Sequence, residues 1–210
     1  MVKFEDIKNN KNIYLYAGDL PNDRRKNIPF IGLSLNNENQ YNIRHNCINK
    51  MNLLDNSVDI YQSEDVFEHI EPKYMINIFN EIYRVLKPEG FFRLSMPDYK
   101  CDILKNRSLK DKDNIIYHDP GGGGNYDNMN KKVINGGHVW FPTYEQVKEL
   151  INLSNFNLEK VNFLHYYDEN NNPVTNKIDY SKCFIMRTPD HDKRVKNPYR
   201  PMSLVIDLYK

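Results

Sequence analysis

Residues 59–98 constrain the fold of this chain more than any other segment. Residues 91–96 are a short, mostly apolar run of the length expected for a buried strand, and residues 58–62 are expected to form a second strand. Pro72 stands where a helix between them begins, and residues 87–90, Lys-Pro-Glu-Gly, end that helix. One face of the helix is apolar at helical spacing, formed by Met75, Ile78, Phe79, Ile82 and Leu86. A helix that connects two buried strands makes a βαβ unit, and the segment therefore predicts a parallel sheet.

Length and composition favour a single domain over residues 1–210. A chain of 210 residues can bury a sizeable core. Its net charge of +1 predicts no broad attraction to nucleic acid or to an anionic membrane. Cys47, Cys101 and Cys183 lie far apart and fit neither a disulfide framework nor a zinc knuckle. Because the sequence has no bilayer-length apolar run and no secretory signal, a cytoplasmic location is expected.

The βαβ unit resembles the second half of a class I S-adenosylmethionine (SAM)-dependent methyltransferase. Asp59, Ser63 and His69 follow one another at the spacing found in that family. The helix ends in Arg-Val-Leu-Lys-Pro-Glu-Gly, with Glu89 in a position that is usually glycine, and the next strand ends in Pro-Asp. The resemblance extends over about residues 12–98, 136–167 and 203–210.

The resemblance implies an architecture and a cofactor. The expected structure is an α/β, Rossmann-like methyltransferase fold with a mostly parallel seven-stranded sheet and helices on both faces. Its last strand, residues 203–208, is expected to be antiparallel. Residues 100–137 are expected to form a lid or insert, and residues 168–202 a further insert. SAM is the implied cofactor.

The first strand, residues 12–16, leads into Ala17, Gly18 and Asp19, where the family has a Gly-x-Gly loop. Glycines in that loop allow the backbone to approach the cofactor closely. Only Gly18 is a glycine in this chain. A divergent cofactor loop and a plain turn therefore remain equal alternatives for these three residues.

The second and third strands offer further candidate contacts to the cofactor. Ser34 occupies the position of the family's ribose-binding acid. A hydroxyl cannot accept two hydrogen bonds as a carboxylate does, which is a loss of about 1–3 kcal/mol. Asn36 or Glu38 are alternatives for that contact. Asn46 and Cys47 fall where the family binds adenine, and the Asn46 carbonyl oxygen is either an acceptor or part of a turn.

Ser63 and Glu64 follow the fourth strand, residues 58–62, at the edge where open α/β sheets bind ligands, and are expected near the cofactor. His138, His69 and Asp98 are the candidate catalytic residues, as bases or orienting groups. His138 matches a family histidine that precedes a helix opening with a capping box. A structural histidine bonded to a backbone carbonyl is the alternative for His138, and an exposed position at a helix start is the alternative for His69.

Four consecutive glycines, residues 121–124, predict a mobile loop because glycine has no side chain to pack. A phosphate cradle is the alternative, but no Lys-Ser/Thr follows to make a P-loop. No metal site is predicted, because the candidate ligands have no compact spacing. These candidates are His118, Asp119, Asp127, His138 and His165.

Together these features favour a SAM-dependent methyltransferase that acts on a small-molecule or carbohydrate-like acceptor. The departures at Ala17, Asp19 and Ser34 favour an alternative, in which the chain keeps the fold but serves as a binding or scaffold protein without catalysis. A metal-dependent enzyme on the same sheet is a third hypothesis. No nucleic-acid or membrane partner is expected, and the sequence leaves the oligomeric state open.

Overall fold

The computed structural model describes residues 1–25 and 28–210. Its strands are β1 (Tyr14–Ala17), β2 (Ile31–Ser34), β3 (Asn42–Arg44), β4 (Val58–Glu64), β5 (Leu86–Pro97), β6 (Leu109–Lys110), β7 (Ile116–His118), β8 (Asn125–Asp127), β9 (Lys132–Ile134), β10 (Val161–Tyr167), β11 (Pro173–Thr175) and β12 (Ser203–Tyr209). Its α-helices are α1 (Phe4–Ile7), α2 (Met75–Val85), α3 (Asp102–Arg107) and α4 (Tyr144–Asn152).

The main sheet has the order β3-β2-β1-β4-β5-β12-β10-β11. Neighbours among β1 to β5 are parallel, while β12 is antiparallel to both β5 and β10. The predicted parallel sheet and antiparallel last strand are therefore confirmed. Within residues 1–25 and 28–210 this sheet has eight strands rather than seven. The extra strand is β11, which folds back on β10 as an edge hairpin after the turn at residues 168–172.

One face of the sheet packs on helices α1, α2 and α4. The predicted apolar stripe of α2 is buried, and Pro72 lies in a short 3₁₀ turn that leads into this helix. Leu86, predicted as the last member of the stripe, instead begins β5, with extended backbone angles. Each fully buried aliphatic or aromatic side chain contributes about 1.5–3 kcal/mol of transfer free energy, so this face anchors the fold.

The other face of the sheet is covered by residues 176–202, where the structure has one 3₁₀ turn and otherwise irregular backbone in place of helices. Arg93 on β5 is completely buried and holds this segment. Its guanidinium donates to the backbone oxygens of Asp179 (2.9 Å) and Cys183 (2.6 Å) and to the carboxylate of Asp207. One buried cation thus satisfies carbonyl groups of a segment that has no sheet or helix of its own.

The insert between β5 and α4 contains α3 and two small hairpins, β6–β7 and β8–β9. It lies beyond the carboxyl end of β5, next to the residues that follow β4. Among the described residues, no helix has the length and apolar character needed to cross a membrane.

Candidate functional site

A short 3₁₀ turn after β4, Phe67–His69, positions the central side chains of the candidate site. Two backbone oxygens of this turn receive donors from a distant segment. The Trp140 indole N–H donates to Phe67 O, and the Val139 N–H donates to Glu68 O, both at 2.9 Å. These bonds bring His138, which precedes them in sequence, onto Glu68 and His69.

Glu68, His69 and His138 form a compact cluster, called the Glu-His-His cluster below. Glu68 Oε1 lies 3.6 Å from His138 Nε2 and 3.9 Å from His69 Nε2. The two imidazole rings meet edge to face, with centroids 4.7 Å apart. One potential ligand atom from each residue lies within 4.8 Å of the other two. Glu68 and His138 are buried, whereas His69 is about one-third exposed and faces solvent.

Each histidine makes a hydrogen bond through its Nδ1 atom to a group other than Glu68. His69 Nδ1 lies 2.8 Å from the backbone oxygen of Gly136, and because a carbonyl only accepts, Nδ1 carries the hydrogen. His138 Nδ1 lies 2.5 Å from the Tyr99 hydroxyl oxygen, and that hydroxyl donates to Asp119 Oδ2 at 2.7 Å. Since the tyrosine hydrogen points to Asp119, His138 Nδ1 is the donor to Tyr99. In the neutral form of each imidazole the Nε2 atom therefore carries the lone pair.

Asp119 is fixed by a cation and by its own backbone. Arg107 Nη2 donates to Asp119 Oδ2 at 2.6 Å, and the Gly121 N–H donates to Oδ1 at 2.9 Å. The Arg107 and Tyr99 hydrogen bonds hold the pKa of Asp119 below its usual value, against the effect of burial. The result is a chain of donors and acceptors from Arg107 through Asp119 and Tyr99 to His138, which fixes the imidazole tautomer.

Burial is the main cause of the shifted pKa values of Glu68 and His138. The pKa of Glu68 is raised well above its usual value, first by burial and then by the nearby charge of Asp65. The pKa of His138 is lowered to about 4, mainly by burial and then by the charge of His69. Within the described residues, neither carboxylate oxygen of Glu68 has a hydrogen-bond partner. An unpaired buried carboxyl group is costly and marks a functional position.

The glycine run packs against this cluster. A Cβ at Gly122 would lie 2.5 Å from Cγ of the His138 ring, and a Cβ at Gly121 would lie 2.6 Å from Cζ of Arg107. Gly137 also packs closely, since a Cβ there would lie 2.2 Å from Gly123 O. The run was predicted to be mobile for lack of side chains. In the structure, the absence of side chains allows this backbone to approach His138 and Arg107 closely.

Asp98 lies apart from the cluster and is engaged by backbone groups. Its two carboxylate oxygens accept from the N–H groups of Lys100 (3.0 Å) and Tyr167 (2.9 Å). Its side chain is completely buried, and burial raises its pKa to about 6. The arrangement ties the end of β5 to the end of β10. This hydrogen bonding gives Asp98 a structural position rather than access to a substrate.

The loop after β1 has the close packing expected of a cofactor turn. Gly18 has a φ of +82°, which favours glycine, and its N–H donates to Leu33 O at 3.0 Å. Asp19 is exposed, and Asn37 Nδ2 donates to Asp19 Oδ2 at 2.9 Å. Ala17 is buried in the core below the turn. The carboxyl ends of β1 and β2 therefore present Gly18, Asp19 and Asn37 together.

Ser34 is placed differently from the expected ribose contact. Its side chain is buried, and its Oγ accepts from the N–H groups of Asn36 (3.2 Å) and Asn37 (2.8 Å). The hydroxyl thus closes the loop that carries Asn37. A buried oxygen that already accepts two backbone hydrogen bonds is poorly placed to receive a ribose hydroxyl as well.

The remaining residues predicted to bind the cofactor lie at two places. Asn46 and Cys47 follow β3, and Ser63 and Glu64 end β4. Asn46 Oδ1 accepts from the Ile48 N–H at 3.2 Å, as in the turn alternative, and burial raises the pKa of the Cys47 thiol to about 11. Ser63 is fully buried, with no hydrogen-bond partner for its Oγ within the described residues. Glu64 Oε1 accepts from the Met186 N–H at 2.6 Å. Residues 184–187 consequently lie along the carboxyl end of β4.

A groove of about 560 Å³ lies next to the cluster and is lined by Val139, the neighbour of His138 in sequence. Three aromatic and three basic side chains contribute to its walls, namely Tyr117, Tyr126, Phe141, Lys73, Lys131 and Lys132. A groove with this lining suits a small polar ligand that has flat faces and oxygen atoms.

Sequence reasoning identified His69 and His138 but did not join them, because 68 positions separate them. Glu68, Tyr99 and Asp119 were not recognised as members of one site. The available signal was the Glu68-His69 pair at the end of a parallel strand, since an acidic residue at that edge is positioned for chemistry. The separated metal candidates His118, Asp127 and His165 do not belong to the cluster.

Comparison with a family model matches residues 26–94 to a methyltransferase domain. The match includes β2 to β4, α2, most of β5, and two members of the Glu-His-His cluster. Among curated proteins, no sequence matches the chain.

Solved structures share the fold at low sequence identity. A SAM-dependent methyltransferase from Archaeoglobus fulgidus is 14% identical with a TM-score of 0.52, over 99% of this chain and 90% of that one. One from Methanosarcina mazei is 14% identical with a TM-score of 0.53, over 100% and 98%. A third, from Thermotoga maritima and described as a possible histamine N-methyltransferase, is 14% identical with a TM-score of 0.53, over 94% and 81%.

Proposed function

We propose that this chain, a member of the class I SAM-dependent methyltransferase superfamily, transfers the SAM methyl group to a small polar acceptor bound beside the Glu-His-His cluster. The observation that carries this proposal is the position of the cluster. Glu68 and His69 lie in the short turn that comes after β4, and open α/β sheets bind their ligands beyond the carboxyl ends of the strands.

The described residues fit SAM at the neighbouring strand ends. The left-handed turn at Gly18 supplies closely approaching backbone, because a Cβ there would already lie 3.2 Å from Val66. Asp19 and Asn37 are the polar side chains available to hydroxyl groups of a ribose, in place of Ser34. When bound, SAM supplies an electrophilic methyl group on a sulfonium. The protein's part is to hold the acceptor atom in line with that methyl group.

The cluster is suited to receive the proton that the acceptor loses. At pH 7 the lowered pKa of His138 leaves its imidazole neutral, with the Nε2 lone pair available. Positive charge that develops on His138 is stabilised, through the Tyr99 hydroxyl, by the Asp119 carboxylate. The groove bordered by Tyr126 and Phe141 supports a carbohydrate-like acceptor, since aromatic faces pack on sugar rings and lysines donate to oxygen atoms.

The alternative function, a binding or scaffold protein with the same fold, is favoured by one observation. Residues 184–187 run along the carboxyl end of β4, where Arg187 Nε lies 3.1 Å from Asp65 Oδ2. Together with the enclosed hydroxyl of Ser34, this reduces the open surface near the expected cofactor position.

Titration calorimetry with SAM and S-adenosylhomocysteine, followed by a methyl-transfer assay, separates the two functions. The enzyme proposal expects saturable binding of both compounds. It also expects labelled methyl transfer to one member of a panel of sugars, phenols and amines, with His138→Gln losing transfer but keeping SAM binding. If neither compound binds at millimolar concentration, the methyltransferase proposal fails and the scaffold alternative replaces it.

A further inference from the structure

The geometry points to a divalent transition-metal site of the zinc type, formed by Glu68 and by the Nε2 atoms of His69 and His138. Three features of the structure carry this inference. They are the spacing of the three ligand atoms, the orientation of both imidazoles, and the buried carboxylate of Glu68.

The spacing suits one ion. Nitrogen and oxygen ligands lie about 2.0–2.2 Å from zinc, so two ligands of a tetrahedral site are about 3.3–3.6 Å apart. Glu68 Oε1 lies 3.6 Å from one Nε2 atom and 3.9 Å from the other. A small rotation of the partly exposed His69 side chain closes the longer distance. Two histidines and one carboxylate leave a fourth position for a water or substrate oxygen.

Both imidazoles are oriented as in metal centres. A metal-bound histidine donates its other ring N–H to a carbonyl or carboxylate, which fixes the tautomer. His69 Nδ1 bonds Gly136 O directly. His138 Nδ1 reaches the Asp119 carboxylate through the Tyr99 hydroxyl. Each Nε2 lone pair is therefore directed to the side where Glu68 lies.

The carboxylate of Glu68 supplies the independent observation. Its side chain has no solvent exposure, and within the described part of the chain neither oxygen accepts a hydrogen bond. Buried carboxylates are paired, hydrogen-bonded or bound to metal. A cation between Glu68 and the two imidazoles satisfies this group. His69 reaches solvent and so gives the ion a path into the site.

This inference rests on the proposed function and changes its proton acceptor, because an ion bound to the His138 Nε2 lone pair leaves no place for a proton there. The cation would hold the acceptor's hydroxyl oxygen at its fourth position and lower the pKa of that hydroxyl. The O–H bond would then break, with the proton passing to solvent at the exposed side of the cluster. The acceptor oxygen would form the new bond to the methyl group, while the sulfur–methyl bond of SAM would break and S-adenosylhomocysteine would leave. The existence of the metal site does not require that reaction.

Metal binding by the full chain tests the site directly. Protein treated with a chelator and then dialysed is titrated with Co²⁺, whose visible absorption reports a tetrahedral nitrogen and oxygen environment, and the Co²⁺ is then displaced with Zn²⁺. Wild type is expected to bind one ion per chain. Glu68→Gln and His138→Gln are expected to lose at least about 100-fold in affinity, while Tyr99→Phe, which removes the hydroxyl between Nδ1 and Asp119 but no metal ligand, loses about 10–100-fold.

Two comparisons keep the result interpretable. Glu149→Gln changes an exposed carboxylate on α4 and is expected to bind metal as wild type does. Glu68→Gln replaces a buried carboxyl group, which burial holds towards its neutral form, with a neutral amide of the same size, so the metal-free variant should melt near the wild-type temperature. Zn²⁺ should raise the melting temperature of wild type but not that of Glu68→Gln.

The proposal is overturned if wild type binds Co²⁺ and Zn²⁺ no more tightly than Glu68→Gln does. Calorimetry with SAM is independent of this outcome. SAM binding without metal binding removes only the metal site, whereas metal binding without binding of SAM removes the methyltransferase function and leaves the site intact.

Discussion

The guanidinium of Arg93 donates two parallel hydrogen bonds to the carboxylate of Asp207, each 2.7 Å long, across the pairing of β5 with β12. Arg93 has no solvent exposure, and it also donates to the two carbonyls that hold residues 176–202. The pair therefore connects the last strand of the sheet to the irregular segment that covers one of its faces.

Asp207→Leu is expected to lower the free energy of unfolding by about 3–5 kcal/mol, because it leaves the Arg93 charge buried without a counter-ion. Urea denaturation measures this loss. The matched control is Asp55→Asn, which breaks an Arg–Asp pair whose carboxylate is largely exposed and should cost much less, because solvent screens that pair. Equal losses in the two variants would contradict the role given to the buried pair.

Gly122→Ala is expected to disturb the Glu-His-His cluster. The added Cβ meets the His138 ring at 2.5 Å, and overpacking of this kind costs about 1–3 kcal/mol. Gly123→Ala is the control, since its Cβ meets no atom within 4 Å although its φ of +80° is strained. NMR signals of the His138 ring should shift in Gly122→Ala and stay unchanged in Gly123→Ala. Unshifted signals in both variants would show that the run does not support the imidazole.

Asp98 should make stability depend on pH. Its pKa is raised to about 6 in the folded protein, from an ordinary value near 4, so the folded state binds the proton more tightly. The stabilising contribution of protonated Asp98 is complete below pH of about 4 and is lost as the pH rises to about 6. Asp98→Asn cannot titrate.

The unfolding free energy of wild type minus that of Asp98→Asn should therefore be greater at pH 4.5 than at pH 7.5, by on the order of 2 kcal/mol. Urea denaturation at the two pH values measures it. A difference that is constant, or greater at pH 7.5, would mean that Asp98 is ionised and stabilised by its two backbone donors throughout this range.

Local sequence patterns were sufficient for much of the fold. The helical spacing in α2 and the short apolar runs of β4 and β5 fixed the βαβ unit, because a single register buries those side chains. The cover of the second face could not be predicted in the same way. Residues 176–202 have no periodic pattern, and their position depends on Arg93, a charged residue inside a strand. The edge strand β11 was missed because it has only three residues.

The site was predicted in part for a related reason. His69 and His138 were identified from their surroundings in sequence, but the hydrogen bonds that join them start from Val139 and Trp140 and end on backbone oxygens. Because every residue has a backbone oxygen, the type of side chain does not indicate which oxygen will accept such a hydrogen bond. The glycine run was likewise predicted to be mobile because glycine is conformationally free. In the structure, the small size of glycine is what matters, because it allows close packing against His138 and Arg107. Ser34 was matched by position in a strand, which does not tell where its hydroxyl points.

The cofactor loop gives the last prediction. If Asp19 holds a ribose hydroxyl, Asp19→Asn should weaken binding of SAM by about tenfold to a hundredfold, the effect of losing one charged acceptor. Its stability should be unchanged, because Asp19 is exposed. Ser34→Ala should instead lower the free energy of unfolding by about 1–2 kcal/mol, since two loop N–H groups lose their acceptor. Calorimetry and urea denaturation on both variants separate the two roles.

Glu38→Gln serves as the matched control, because Glu38 is an exposed acid in the same loop as Asn37 and was an alternative for the ribose contact. It should bind SAM as wild type does. Weaker binding by Glu38→Gln together with normal binding by Asp19→Asn would move the contact to Glu38. Weaker SAM binding by Ser34→Ala, at unchanged stability, would mean that the serine hydroxyl contacts the cofactor directly. Its hydrogen bonds from the N–H groups of Asn36 and Asn37 would then not be its main role.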